Sequence, residues 1–208
     1  MKKFTILGSA IAFMACCWLV PGLQAQQDGP HSPFNKCRSV ATEDVVDGRA
    51  PTFAAYRVTS AKTVENSSLD LKSNPIARTY RTVLRREIAQ GPNFAGHYRV
   101  AVWGCGACCS MFAVVNLSAG RVITPEGFSY TSGFHFAEVD NQKLFPDSQM
   151  DYWLLNFTKD GRLLVVLGDL DEDEGREGAF YRVLDGERLR LIHSTPVKKN
   201  CESQRSTH

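Results

Sequence analysis

Tyr152-Trp153-Leu154-Leu155-Asn156-Phe157-Thr158-Lys159-Asp160-Gly161-Arg162-Leu163-Leu164-Val165-Val166-Leu167 sets two apolar runs, 152–157 and 163–167, around a Lys-Asp-Gly turn. A turn of that length cannot carry a helical crossover, so the two runs are expected to pair as antiparallel strands. The same plan recurs in residues 112–123: an apolar strand, Asn116, the turn Ser118-Ala119-Gly120, Arg121, and a second strand. Asp185-Gly186 makes a third tight connection, between runs 180–184 and 189–193. Further runs at 98–103, 111–117, 122–124 and 134–139 read as strands, and residues 53–58 as a first strand.

One segment keeps a different period. Ile76, Tyr80, Val83, Leu84 and Ile88 recur at three- and four-residue steps. Asn74 is placed to cap, Pro75 suits the first helical position, and Gly91-Pro92 ends the run. The spacing predicts a helix over 75–90, with Arg78, Arg81, Arg85 and Arg86 on its solvated face. The expected fold is α+β: this amphipathic helix packed on a mostly antiparallel meander sheet of six to eight strands, with Phe112, Val114, Leu164 and Val166 in the core. The two similar hairpins leave an all-β barrel or partial propeller as the alternative.

The N-terminus predicts export. Lys2 and Lys3 precede an uncharged apolar run over residues 4–20, Pro21-Gly22 breaks it, and Ala25 suits a leader peptidase. Residues 1–25 are therefore read as a signal peptide and 26–208 as a single globular domain that is periplasmic or secreted. The alternative is a lipid anchor through Cys16 or Cys17, against which stands the poor approach Phe13-Met14-Ala15. No later segment has the length of a membrane span.

Lys2 and Lys3 leave with the leader, so 22 basic residues face 22 acidic ones in the remainder. Balanced charge gives no electrostatic case for nucleic acid. The expected partner is a protein or small molecule of the cell envelope, and no cofactor is expected. Five cysteines remain: Cys37, Cys105, Cys108, Cys109 and Cys201. In an oxidising compartment they should pair, with one left over. Cys37 and Cys201 lie near the two ends and are expected to clasp them.

Residues 91–109 read Gly-Pro-Asn-Phe-Ala-Gly-His-Tyr-Arg-Val-Ala-Val-Trp-Gly-Cys-Gly-Ala-Cys-Cys. Through Asn93 to Tyr98, Trp103 to Gly106 and the pair Cys105 and Cys109, the chain resembles a group of uncharacterised bacterial exported proteins. Those carry Asn-Phe-Ala-Gly-His/Lys-Tyr, a strand, and Trp-Gly-Cys-Gly with a further cysteine. The likeness extends loosely to residues 116–122 and 180–192, covers about half of the mature chain, and implies export but no activity. Cys108 departs from the group's pattern.

Several chemistries compete for these cysteines. The Cys105-Gly106-Ala107-Cys108 spacing suits thiol exchange, yet a strand follows where redox enzymes place a helix start. Zinc lacks a second close pair of Cys or His, and haem attachment fails because Cys109 stands where His is needed. The remaining reading is a local disulfide, Cys105 to Cys109 or Cys105 to Cys108, pinning a turn that Gly104 and Gly106 make easy. Such a staple would present Asn93, His97, Tyr98 and Trp103 as a rigid binding surface.

His97 and His135 are candidate general bases for an envelope hydrolase, although no nucleophile motif accompanies them. Asp169, Asp171 and Asp173, in the acidic loop 169–177, are candidate ligands for a divalent cation, with the EF-hand register broken at Glu174 and Phe180. The sequence points first to a non-catalytic binding module.

Overall fold

The computed structural model describes residues 39–59, 67–152, 154–173 and 175–197, all within one compact unit, Lys36–His208. Residues 1–25, read as a leader, and Cys37 and Cys201, expected to clasp the ends, lie outside the described residues, as do Trp153 and Glu174.

Nine strands form one open sheet in which every pair is antiparallel: β1 Tyr98–Gly106, β2 Cys109–Asn116, β3 Arg121–Ile123, β4 Thr131–Ser132, β5 Gln149–Tyr152, β6 Leu155–Phe157, β7 Leu163–Leu170, β8 Glu177–Asp185 and β9 Arg188–Pro196. The α+β meander is thus present; the sheet does not close, which removes the barrel alternative, and its strands form one sheet and not separate blades. Against the expected six to eight strands, 134–139 drops out, 152–157 divides between β5 and β6, and the two-residue β4 is added, too short to leave a periodic signal.

β7 is the hub. One edge pairs with β8 from Leu163↔Val183 to Asp169↔Glu177. Its other edge is shared: β6 takes Leu164 to Val166, and β4 takes Asp169 and Leu170. β4 also pairs Ser132 with Cys109 and Thr131 with Ser110 of β2, joining the β1–β2–β3 half to the β5–β9 half.

Alternation along β2 and β7 sorts side chains into three buried layers. Phe112 and Val114 face Leu164, Val166, Leu155 and Phe157 in a central core between the two halves. Ala113 and Val115 face outward onto Ala77, Leu84 and Ile88 of the helical segment. Leu163, Val165 and Leu167 face the opposite outer layer, against Val45, Phe136 and Val139.

The expected helix is two helices, α1 Pro75–Thr79 and α2 Arg81–Ile88, separated at Tyr80 with φ −104° and ψ 25°. The Asn74 side chain accepts from the Ile76 amide as the spacing predicts. At the break, the Tyr80 ring lies 4.7 Å from that of Trp103, and its hydroxyl meets Met111 Sδ at 3.4 Å.

Other elements differ from expectation. Residues 134–139 and 53–58 are not strands but begin with 3-10 turns, Phe134–Phe136 and Phe53–Tyr56. A strand would set Phe134 and Phe136 on one face, whereas Phe136 is 1% exposed and Phe134 65%. The run 152–157 is not one strand: Tyr152 pairs with Leu155, so the chain reverses there between β5 and β6. A third helix, α3 Asn141–Leu144, is capped by the Asp140 carboxylate accepting from the Lys143 amide. Among the described residues no helix is long and apolar enough to cross a membrane.

Candidate ligand-binding cleft

The cysteine-bearing motif works mainly as structure. The buried Asn93 side chain closes onto the strand beside it, accepting from the Val100 amide at 2.7 Å and donating to the Val100 carbonyl at 3.2 Å. Phe94 is fully buried, edge-on to Phe157 at 5.9 Å. Ala95 and Gly96, at φ 45° and 80°, turn the chain so that their amides donate to the Gly161 and Lys159 carbonyls. Trp103 is 7% exposed beneath Tyr80, and the Tyr98 hydroxyl donates to the Gly186 carbonyl at 3.4 Å.

At the tip of the β1–β2 hairpin, Cys105 and Cys109 form a disulfide with a Cα–Cα separation of 5.2 Å. That resolves the two open pairings and leaves Cys108 free and exposed, with φ 56°.

The histidine and aspartate candidates are likewise dispersed. The His97 ring stacks on Tyr98 at 4.3 Å and His135 lies edge-on to Phe134 at 5.1 Å. Neither stands within ion-pair distance of a carboxylate among the described residues. In the acidic loop, Asp171 Oδ1 accepts from the Ser129 and Tyr130 amides, at 2.8 and 3.1 Å, while Arg176 pairs with Asp173 at 2.9 Å and approaches Asp171 at 3.7 Å. Asp169 lies on β7 opposite Glu177. Among the described residues no group of three or more His, Cys, Asp or Glu is arranged to hold a metal.

A cleft of about 290 Å³ opens elsewhere, between residues 45–54 and 144–147 over β8. The first wall begins at a 3-10 turn, Thr42–Val45, whose Val45 is buried in the outer core. Next comes an Asx turn, in which the Arg49 amide donates to Asp47 Oδ1 at 2.9 Å and the Ala50 amide to the Asp47 carbonyl. Pro51 and Thr52 then lead into the turn that carries Phe53. The second wall is the end of α3 with Phe145-Pro146-Asp147. The Phe53 and Phe145 rings meet edge-on at 5.9 Å, and Tyr181 of β8 supplies part of the lining.

Asp47 is the group that ties this wall to the sheet. Its Oδ2 lies 2.9 Å from His193 Nε2 and 3.5 Å from Thr195 Oγ1, both on β9. The Arg49 amide first, then His193, hold its carboxyl below the usual carboxylate range. The His193 ring also lies edge-on to Tyr181 at 5.4 Å. Burial pushes the Tyr181 phenol up to about 12, reinforced by the nearby Asp47 charge and partly offset by a Thr195 hydrogen bond.

Because the folded chain then keeps the phenol proton that the unfolded chain gives up, Tyr181 contributes stability that is complete below pH 10 and lost as pH rises toward 12. The loss is expected to be about 2–3 kcal/mol, and Tyr181→Phe is expected to flatten the unfolding free energy in that window. Denaturant titrations of both proteins at pH 9, 10.5 and 12 check this; parallel pH profiles would contradict it.

Nothing local in the sequence marks this site. Asp47 reads as a turn residue, and His193 ends an expected strand 146 positions away. Compared with known proteins, the chain matches no family model, no curated protein and no solved structure.

Proposed function

We propose that the protein is a non-catalytic binding module, exported after removal of residues 1–25 and acting in the bacterial envelope, that takes a small ligand in the cleft between residues 45–54 and 144–147. The observation that carries this reading is a largely apolar cavity, lined by Val46, Phe53, Leu144 and Phe145, whose wall includes Asp47 with its carboxylate held by β9. Concave apolar surface with a few oriented polar groups is the usual form of a small-molecule site. The leader-like N-terminus, the resemblance through Trp103 to Gly106, and the Cys105–Cys109 disulfide support the exported setting.

The test is a fragment screen by ligand-observed NMR, using the processed chain and an Ala50→Trp variant whose indole fills the cleft. Hits are expected to compete for one site in the native protein and to vanish in the variant. A screen without hits, or hits indifferent to the filled cleft, would overturn the reading.

The Asp47–His193 pair favours one second reading, an envelope hydrolase whose base is His193 in place of His97 or His135. A carboxylate on one imidazole nitrogen orients the other for proton abstraction. Against it, no described hydroxyl lies within hydrogen-bond distance of His193 Nδ1. Turnover of model esters that His193→Ala abolishes would replace the binding reading with this one.

A further inference from the structure

Resting on the proposed binding role of the cleft, we infer that its ligand is an organic cation: an ammonium on an apolar, aromatic-sized body, with the ammonium against Asp47. Two carboxylates, Asp47 and Asp147, belong to the lining, and no lysine, arginine or histidine is among the described residues that line it. The rest is aliphatic or aromatic, apart from Thr52 and Tyr181. An anionic ligand would meet two acidic residues and no lining cation to receive it, in surroundings that screen charge less than bulk water. A neutral apolar ligand would cover Asp47, whose side chain is already only 14% exposed, and offer it nothing in exchange for water.

An ammonium answers both objections. It donates charge-assisted hydrogen bonds to the carboxylate, and the Phe53 and Phe145 rings offer a second attraction for positive charge. The site is also set in advance. His193, Thr195 and the Arg49 amide orient the Asp47 carboxyl without any ligand, so little ordering remains for binding to supply. The Arg49 side chain is the competing cation, 3.6 Å from Asp47 Oδ1. It is 90% exposed, however, so this pair holds little energy and a ligand can displace it.

The experiment uses three probes of one shape at pH 7.5: 2-phenylethylamine, 2-phenylethanol and 3-phenylpropanoate. Each is titrated into ¹⁵N-labelled native protein and into Asp47→Asn. In native protein the amine is expected to shift the amides of residues 46–54 and 144–147 and to bind about five- to tenfold tighter than the alcohol, with the carboxylate weakest. In Asp47→Asn the amine's advantage over the alcohol should shrink to the small part that Asp147 supplies, and alcohol binding shows that the variant is folded. If Asp47→Asn fails to fold, Asp147→Asn and the salt dependence of amine binding to native protein replace it, and the amine's advantage should shrink in both. Equal binding of amine and alcohol to native protein overturns the cation class while leaving a binding cleft. No shift at the cleft with any probe overturns the class and the binding role together.

Discussion

Replacing Phe157 with alanine is expected to cost about 3–5 kcal/mol of stability. Phe157 has no exposed surface, sits on β6 in the central core between the two halves of the sheet, and takes the edge of Phe94 at 5.9 Å. Its loss removes apolar burial and leaves a void that flanking strands cannot close, because β6 is held in register with β7 at Leu155, Asn156 and Phe157 itself. Set against a typical domain stability of about 5–15 kcal/mol, such a loss brings the chain near its unfolding threshold. Urea unfolding should show a lower midpoint with an unchanged slope, and a shift equivalent to less than about 1 kcal/mol would place the core elsewhere.

The second large effect is expected at Gly168, where β7 passes β4. Its φ is +127°, and an added Cβ would be driven against Thr131 Oγ1 and the Ser132 carbonyl oxygen. Both neighbours belong to the two-residue strand that joins the halves of the sheet, and the Thr131 hydroxyl donates to the Leu167 carbonyl at 2.9 Å. Gly168→Ala should therefore cost about 3 kcal/mol or more, from backbone strain and overpacking together. Gly127→Ala is the matched control, because its φ is +85° but its Cβ would meet open space. There only the strain applies, about 1 kcal/mol. Equal losses at the two glycines would mean that β4 does not press on β7 as described.

What the sequence made legible follows from range. The turns at 118–120, 159–161 and 185–186 and the two-residue alternation beside them act between neighbours, so most hairpin strands could be located from composition alone. Helix 75–90 was readable for the same reason, although its break at Tyr80 was not, because the partner rings of Trp103 and Tyr80 come from separate elements. Phe134–Phe136 and Phe53–Tyr56 misled because a 3-10 turn of three or four residues and a short strand can carry the same apolar residues. β4 was invisible, since two residues held by β2 and β7 carry no pattern of their own.

The motif at 91–109 illustrates a different limit. Asn, Trp, Tyr and His are residues common at interfaces, yet Asn93 and Trp103 are buried in folding roles, and only their partners reveal it. The disulfide could be narrowed to two pairings by spacing, and the structure joins Cys105, in the irregularity between Gly104 and Gly106, to Cys109. The cleft was beyond reach because it is assembled from a turn at 47–50, the end of a short helix at 141–144 and Tyr181 of β8, with β9 holding Asp47, and none of these signals the others in the sequence.

The functional account turns on occupancy of that cleft. A crystal structure of the processed chain with its tightest screening hit tests it most directly. Ligand density is expected against the paired rings of Phe53 and Phe145 with its polar end on Asp47; density seated instead on the Cys105–Cys109 tip or the acidic loop, with the cleft holding only solvent, would refute occupancy of the cleft.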